Sequence, residues 1–358
     1  MFKYYRFSCI FTAICLALAL WYGWFSTGTV AGTAQMLWIV VVLAVLEVSL
    51  SFDNAVVNAS VLKEMDEVWQ KRFLLWGIAF AVFGMRIVFP LAIVAIAAGI
   101  GPIDAVRLSL TNPDEYERIV SSAQVGIAGF GGAFLAMVGL KFFFDADKEV
   151  HWIDVIERRL AAVSAVKAIE IGVLLLVLWG ISRLLETADA LTFLVAGILG
   201  IVTFIAVEAV STALEIQDQK RRLAGAMVRS GLGGFLYLNV LDASFSFDGV
   251  IGAFALSNNM IVIALGLSIG AIFVRSMTVH LVHKGTLAEY AYLEHGAFWA
   301  IIALGGIMLF GAVAHVPEVV TGLIGAVLIG LSLWWSIRHK RRHPGAVESV
   351  RSAGDGRP

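Results

Sequence analysis

Residues Leu46–Asp53 read LEVSLSFD, and residues Leu241–Asp248 read LDASFSFD. Five of the eight positions are identical, and a sixth exchanges Glu47 for Asp242. Each copy sits inside a run long and apolar enough to cross a bilayer, which takes about 20 mostly apolar residues. An ionised carboxylate in hydrocarbon costs roughly 3 kcal/mol on insertion scales. A motif that twice places two acids in such a run implies an all-α, polytopic membrane protein whose buried charges handle an ion.

Composition agrees. The 358 residues are 59% hydrophobic and 15% charged, where a soluble domain is about 25% charged. The formal net charge of −1 gives no reason to expect a nucleic-acid partner. Cys9 and Cys15 share one apolar run, about 9 Å apart on a helix, too far for a disulfide. No phosphate-cradling glycine loop, nucleophile elbow or HExxH stands in the chain, so an enzyme is not expected and any transport should be secondary or passive.

Ten runs qualify as spans: 7–25, 36–62, 73–99, 125–144, 168–185, 190–212, 232–256, 260–283, 297–315 and 318–337. Lysine and arginine alternate between the loops. With both termini cytoplasmic, one side holds Lys3, Lys63, Lys71, Lys220, Lys284 and Lys340, and the other mainly Arg107 and Arg118. The first motif then lies on the second span and the second on the seventh, running in opposite directions, as in an inverted repeat. The organisation expected is one transmembrane domain, 1–358. It comprises an N-terminal anchor span (1–35), repeat 1 (36–144), a linker with two spans (145–231), repeat 2 (232–315), a last span (316–337) and a cytoplasmic tail (338–358). The first span resembles a signal sequence with a possible cut near Ala17-Leu18-Ala19, but its apolar run is long enough to be a retained anchor. The amphipathic stretch 145–166 is expected along the cytoplasmic interface.

On one helix Glu47, Ser51, Asn54 and Asn58 recur at i, i+4, i+7 and i+11 and form a polar stripe. Asp242, Ser246 and Gly249 repeat the spacing. Asp53 and Asp248 fall about 120° off that stripe if the helices are regular. They either face other neighbours or mark helix breaks, a break that Gly249 would favour in the second copy. Each following span carries an arginine, Arg86 and Arg275. Four acids against two arginines leave two negative charges, the charge of one divalent cation, if all six groups share a cavity. Carboxylate, amide and hydroxyl oxygens suit Mn²⁺, Ca²⁺ or Mg²⁺ better than zinc or copper. Plainer roles compete: structural pairing of the acids with Arg86 and Arg275, a helix-bridging amide at Asn58, and interfacial anchoring at Lys141, Glu170 and Glu208. His280 and His283 fit polar termination of a helix, and His295 carries no signal.

The patterns E-x-S-x-S-x-D-N at Glu47–Asn54 and D-x-S-F-S-x-D at Asp242–Asp248 resemble the TerC-type integral membrane proteins, within the LysE-type exporter superfamily, and among them a branch of long bacterial members. The resemblance covers both motif spans, their following helices and most of 36–337. It implies a multi-pass protein of a bacterial inner membrane that exports a divalent cation, most often manganese, with a link to tellurium-compound resistance. The cation would be a substrate, and no permanently bound cofactor is implied. By that resemblance Glu47, Asp53, Asn54, Asp242 and Asp248 are the metal-site residues, with Ser51, Ser246, Arg86, Arg275 and Asn58 accessory. Gly249 departs from the pattern, since a polar residue often follows the second Asp in relatives. The bilayer and the ion are the partners expected. Rival readings are export of an amino acid or oxyanion through the arginines, an intramembrane aspartyl protease using Asp53 and Asp248, and a non-transporting membrane scaffold. No feature of the sequence sets an oligomeric state.

Overall fold

A computed structural model describes residues 2–63, 65–145, 150–163, 168–223, 231–254, 256–314 and 316–342. Among them every regular element is helical. Among the described residues seven helices are long and apolar enough to cross a membrane, and three shorter apolar stretches complete ten, one for each run read from the sequence. The tail beyond Arg342 and part of the 145–166 stretch lie outside the described residues.

The chain opens with α1 (Phe2–Thr27) and α2 (Val30–Leu50), followed after Ser51 by α3 (Phe52–Leu62). The third span is α4 (Glu67–Ala79), a π-helical stretch (Phe80–Val88) and α5 (Phe89–Ala98). The π-helix has a local cause. Pro90 cannot donate to the carbonyl of Arg86 and its ring crowds that carbonyl. The ladder widens by a residue, with Phe89 N–H donating to Gly84 O. Two short helices, α6 (Pro102–Thr111) and α7 (Pro113–Ser122), lead to α8 (Gln124–Phe143). The linker contributes α9 (Asp154–Val163), α10 (Ile169–Ser182) and α11 (Thr187–Leu223). The second half follows as α12 (Leu232–Phe254), α13 (Met260–Lys284), α14 (Thr286–Glu289), α15 (Leu293–Gly311) and α16 (Glu318–Arg342).

Close contacts fix the directions in which these helices run. Val61 and Met65 meet Gly234, Asn58 meets Asp242 and Glu47 meets Gly249, so α2–α3 and α12 are antiparallel. On α13, Gly266 meets Leu43 and Gly270 meets Glu47, so α2 and α13 are parallel. Trp69 and Phe73 pack on Gly231 and Phe235, so α4 and α12 are parallel. Gly131 meets Met308 and Gly139 meets Ile302, so α8 and α15 are antiparallel. Exchanging α2–α3 with α12, α4 with α13 and α8 with α15 maps this set of relations onto itself. That is the inverted three-helix repeat, and every direction agrees with the parity of ten spans.

Lipid offers little apolar drive for helix association, so small residues carry the packing. A methyl at Gly132 would stand 2.8 Å from Leu309, and one at Gly305 would stand 2.9 Å from Ala136 N. Buried Phe134, Met137, Ile301 and Met308 join the central α8–α15 pair to α3 and α12. α1 lies along α13, tied by Ser8 Oγ to Ser276 Oγ at 2.6 Å and by Asn259 donating to the Tyr22 hydroxyl at 2.9 Å. Cys9 and Cys15 are unpaired. Lys141 pairs with Glu208 and so bridges α8 and α11.

Candidate functional site

The backbone ladder of the first motif skips at Ser51. Ser51 N–H donates to Glu47 O at 3.1 Å, and the next bond across the junction is Ala55 N–H to Ser51 O at 3.2 Å. Asn54 N–H, which would continue the helix, donates instead to the Asp53 carboxylate at 2.9 Å. Asp53 thus draws the first turn of α3 onto itself and releases carbonyls at the end of α2. The second copy behaves differently. α12 runs unbroken through Gly249, so the break anticipated there does not form. A lone glycine weakens a helix by about 1 kcal/mol, and here Leu241, Val250 and Ala253 are buried around it.

A cavity lies between α2–α3, the π-helix, α12 and α13, lined among others by Glu47, Ser51, Asn54, Asn58, Arg86, Asp242, Arg275 and Thr278. The whole polar stripe of the first copy faces it. Glu47 pairs with Arg86. Asp242 accepts from Asn58 Nδ2 at 2.6 Å and lies 3.6 Å from Arg275 Nη2. The two repeats therefore present the same acid–arginine pair, each arginine on the span after its acid. Arg275 stacks its guanidinium 4.2 Å over the Phe73 ring and lies against Gly77. The Oδ1 atoms of Asn54 and Asn58 are buried without a hydrogen-bond partner among the described residues. Two carboxylates, two such amides and a hydroxyl make an all-oxygen donor set. Among the described residues no three His, Cys, Asp or Glu side chains come together.

Asp53 is not in this cavity. It lines a second one, with Ser51, Gly249, Thr321 and Gly325, that shares Glu47, Ser51 and Phe245 with the first. Its departure from the stripe thus has a physical outcome, a contact with α15 and α16. Ser246 and Asp248 belong to α12, and their side chains lie outside the described residues. The charge count changes accordingly. Glu47 and Asp242 face Arg86 and Arg275 in the first cavity, two against two. The surplus negative charge read from the sequence includes Asp53, in the neighbouring cavity.

Two features escaped sequence reasoning. Glu47 is wedged between glycines from two helices of the other half. A methyl at Gly249 would stand 2.8 Å from Glu47 Oε2, and one at Gly270 would overlap its side chain. His295, which carried no signal, is buried in the first turn of α15, with Nε2 2.7 Å from Val150 O and 3.5 Å from Glu157 Oε2. Glu157, on α9, is buried and accepts from Trp152 N–H at 3.1 Å and Trp299 Nε1 at 3.1 Å. The amphipathic stretch is therefore docked on α15 through its acid.

Fold and site together define the class: a polytopic, all-helical membrane bundle with an inverted repeat and paired acids and arginines at its centre. More narrowly, the chain belongs to the DUF475 family, described as proteins of unknown function, whose model matches residues 52–343. No curated protein and no solved structure matches it.

Proposed function

We propose that the protein is a secondary transporter of a hard divalent cation, with Mn²⁺ the favoured substrate, in line with the TerC-type resemblance of its motifs. One observation carries this reading. Two inverted helices bring Glu47, Asp242 and the buried, partnerless amide oxygens of Asn54 and Asn58 into one cavity. Oxygen donors of this kind, from separate helices beside a helix break, suit a hard cation. The cavity volume of about 30 Å³ admits a guest of one or two waters' size. In this mechanism the arginines neutralise Glu47 and Asp242 while the site is empty. A cation displaces them from the carboxylates, and rocking of one repeat against the other exposes the site to either face. A bacterial inner membrane with both termini cytoplasmic is the setting that the lysine and arginine distribution and the resemblance support.

A second reading has one observation in its favour. Nε and Nη2 of Arg275 have no hydrogen-bond partner among the described residues, as expected of a group awaiting an oxyanion or a carboxylate solute. Proteoliposome flux separates the two. The cation reading predicts Mn²⁺ flux by the wild type, reduced about tenfold or more in Asp242→Asn, which removes a ligand charge. Loss of oxyanion or amino-acid flux in Arg275→Lys, with no Mn²⁺ flux in any variant, would replace it with the anion reading, because the guanidinium fork is what recognises such groups.

A further inference from the structure

We infer that the second cavity is a separate site for a small monovalent cation, Na⁺ by chemistry, held by Asp53. The inference rests on the cation-transport reading and adds a second ion to it. Asp53 is 5% exposed. One of its oxygens takes the Asn54 N–H, the ordinary service of an acid in the first turn of a helix. The other, Oδ2, is turned toward α16 and lies 4.0 Å from where a methyl on Gly325 would stand. No cationic side chain pairs with it among the described residues. This sets Asp53 apart from Glu47 and Asp242, each of which faces an arginine. A deeply buried carboxylate with no counter-charge is expensive, and a bound cation is one way to balance it.

The surroundings have the right chemistry for that ion. Ser51 and Thr321 add hydroxyl oxygens to the cavity wall, and the ladder skip beside Ser51 leaves backbone carbonyls at the end of α2 without helical partners. One uncompensated negative charge calls for one positive charge, which argues against a second divalent ion here. Glu47 and Ser51 belong to both cavities, so filling one changes the field and the side-chain positions felt by the other. That is the arrangement that lets one ion drive the movement of another.

The test is thermal unfolding of the full-length protein in detergent, at constant ionic strength, in NaCl or choline chloride, each with and without MnCl₂. A ligand that binds the folded state raises its melting temperature by mass action. Wild type should show a saturable rise in Na⁺ over choline and a further rise in Mn²⁺. Asp53→Asn should lose the Na⁺ rise and keep the Mn²⁺ rise. Thr321→Val, which is nearly isosteric, should shift the Na⁺ midpoint about tenfold upward; it keeps the test valid if Asp53→Asn folds poorly. No Na⁺-specific rise in wild type, an undiminished rise in both variants, or joint loss of the Na⁺ and Mn²⁺ responses in Asp53→Asn would each overturn the second site. A Na⁺ rise with no Mn²⁺ rise in any protein would uphold it and remove the divalent reading instead.

Discussion

Glu47 and Arg86 are both buried and neutralise each other in a low-dielectric interior. Breaking such a pair from one side leaves an uncompensated charge and typically costs about 3–5 kcal/mol, whereas replacing both members with apolar groups is often close to neutral. Arg86→Met should therefore lower the melting temperature sharply in detergent, and the double variant Glu47→Met, Arg86→Met should recover most of the loss. An unchanged melting temperature in Arg86→Met would deny the pair its structural role. At this scale the sequence was informative about polar residues and silent about glycines. Glu47, Ser51, Asn54 and Asn58 could be aligned because a helical period ties them within one segment. Gly249 and Gly270 could not be linked to Glu47, since they approach it from helices about 200 residues further along the chain. His295 was unreadable for the same reason: its partners Val150 and Glu157 lie on another segment.

The two motif helices show how near-identical octapeptides acquire different backbones. In the first, the Asp53 carboxylate captures the N–H of Asn54 and splits the span into α2 and α3. In the second, packing around Leu241, Val250 and Ala253 keeps α12 whole across Gly249. Propensity alone pointed to the wrong copy, because tertiary burial outweighs a cost of about 1 kcal/mol for glycine. The π-helix at Phe80–Val88 had a legible cause in Pro90, four residues past Arg86, though its length depended on the neighbours it packs against. The α6–α7 insertion, which repeat 2 lacks, offers a clean test of packing. Tyr116 on α7 is fully buried against Phe254 and Val250, and its hydroxyl has no partner among the described residues. Burial pushes its phenol pKa up. Tyr116→Phe removes that hydroxyl and should leave stability equal or higher. Tyr116→Ala should cost about 3–5 kcal/mol by cavity formation. A large loss in Tyr116→Phe would show that the hydroxyl is bonded in the folded protein.

Across the whole molecule, the ten apolar runs and the two-fold relation of the halves were readable because each span carries its own hydrophobic signal and the motif marks corresponding positions. Which acids share a cavity was not readable, since that depends on how six helices cross. The topology makes a direct prediction. With Cys9 and Cys15 replaced by serine, Lys63→Cys at the end of α3 and Asn258→Cys after α12 should react with an impermeant thiol reagent from opposite faces of sealed vesicles. Both labelling from the same face would contradict the antiparallel relation of α2–α3 and α12. Ion pairs gather the ends of that face: Lys63 with Glu294 at 3.2 Å joins the end of α3 to the start of α15, and Lys340 with Glu289 at 2.5 Å joins the end of α16 to α14.

The most direct measurement is equilibrium Mn²⁺ binding to the purified full-length protein, followed by loss of the free-ion EPR signal. The account predicts one saturable equivalent per chain. Affinity should fall about tenfold or more, at least about 1.4 kcal/mol, in Asp242→Asn and in Asn58→Leu. No saturable binding by wild type, or binding that both variants leave unchanged, would contradict it.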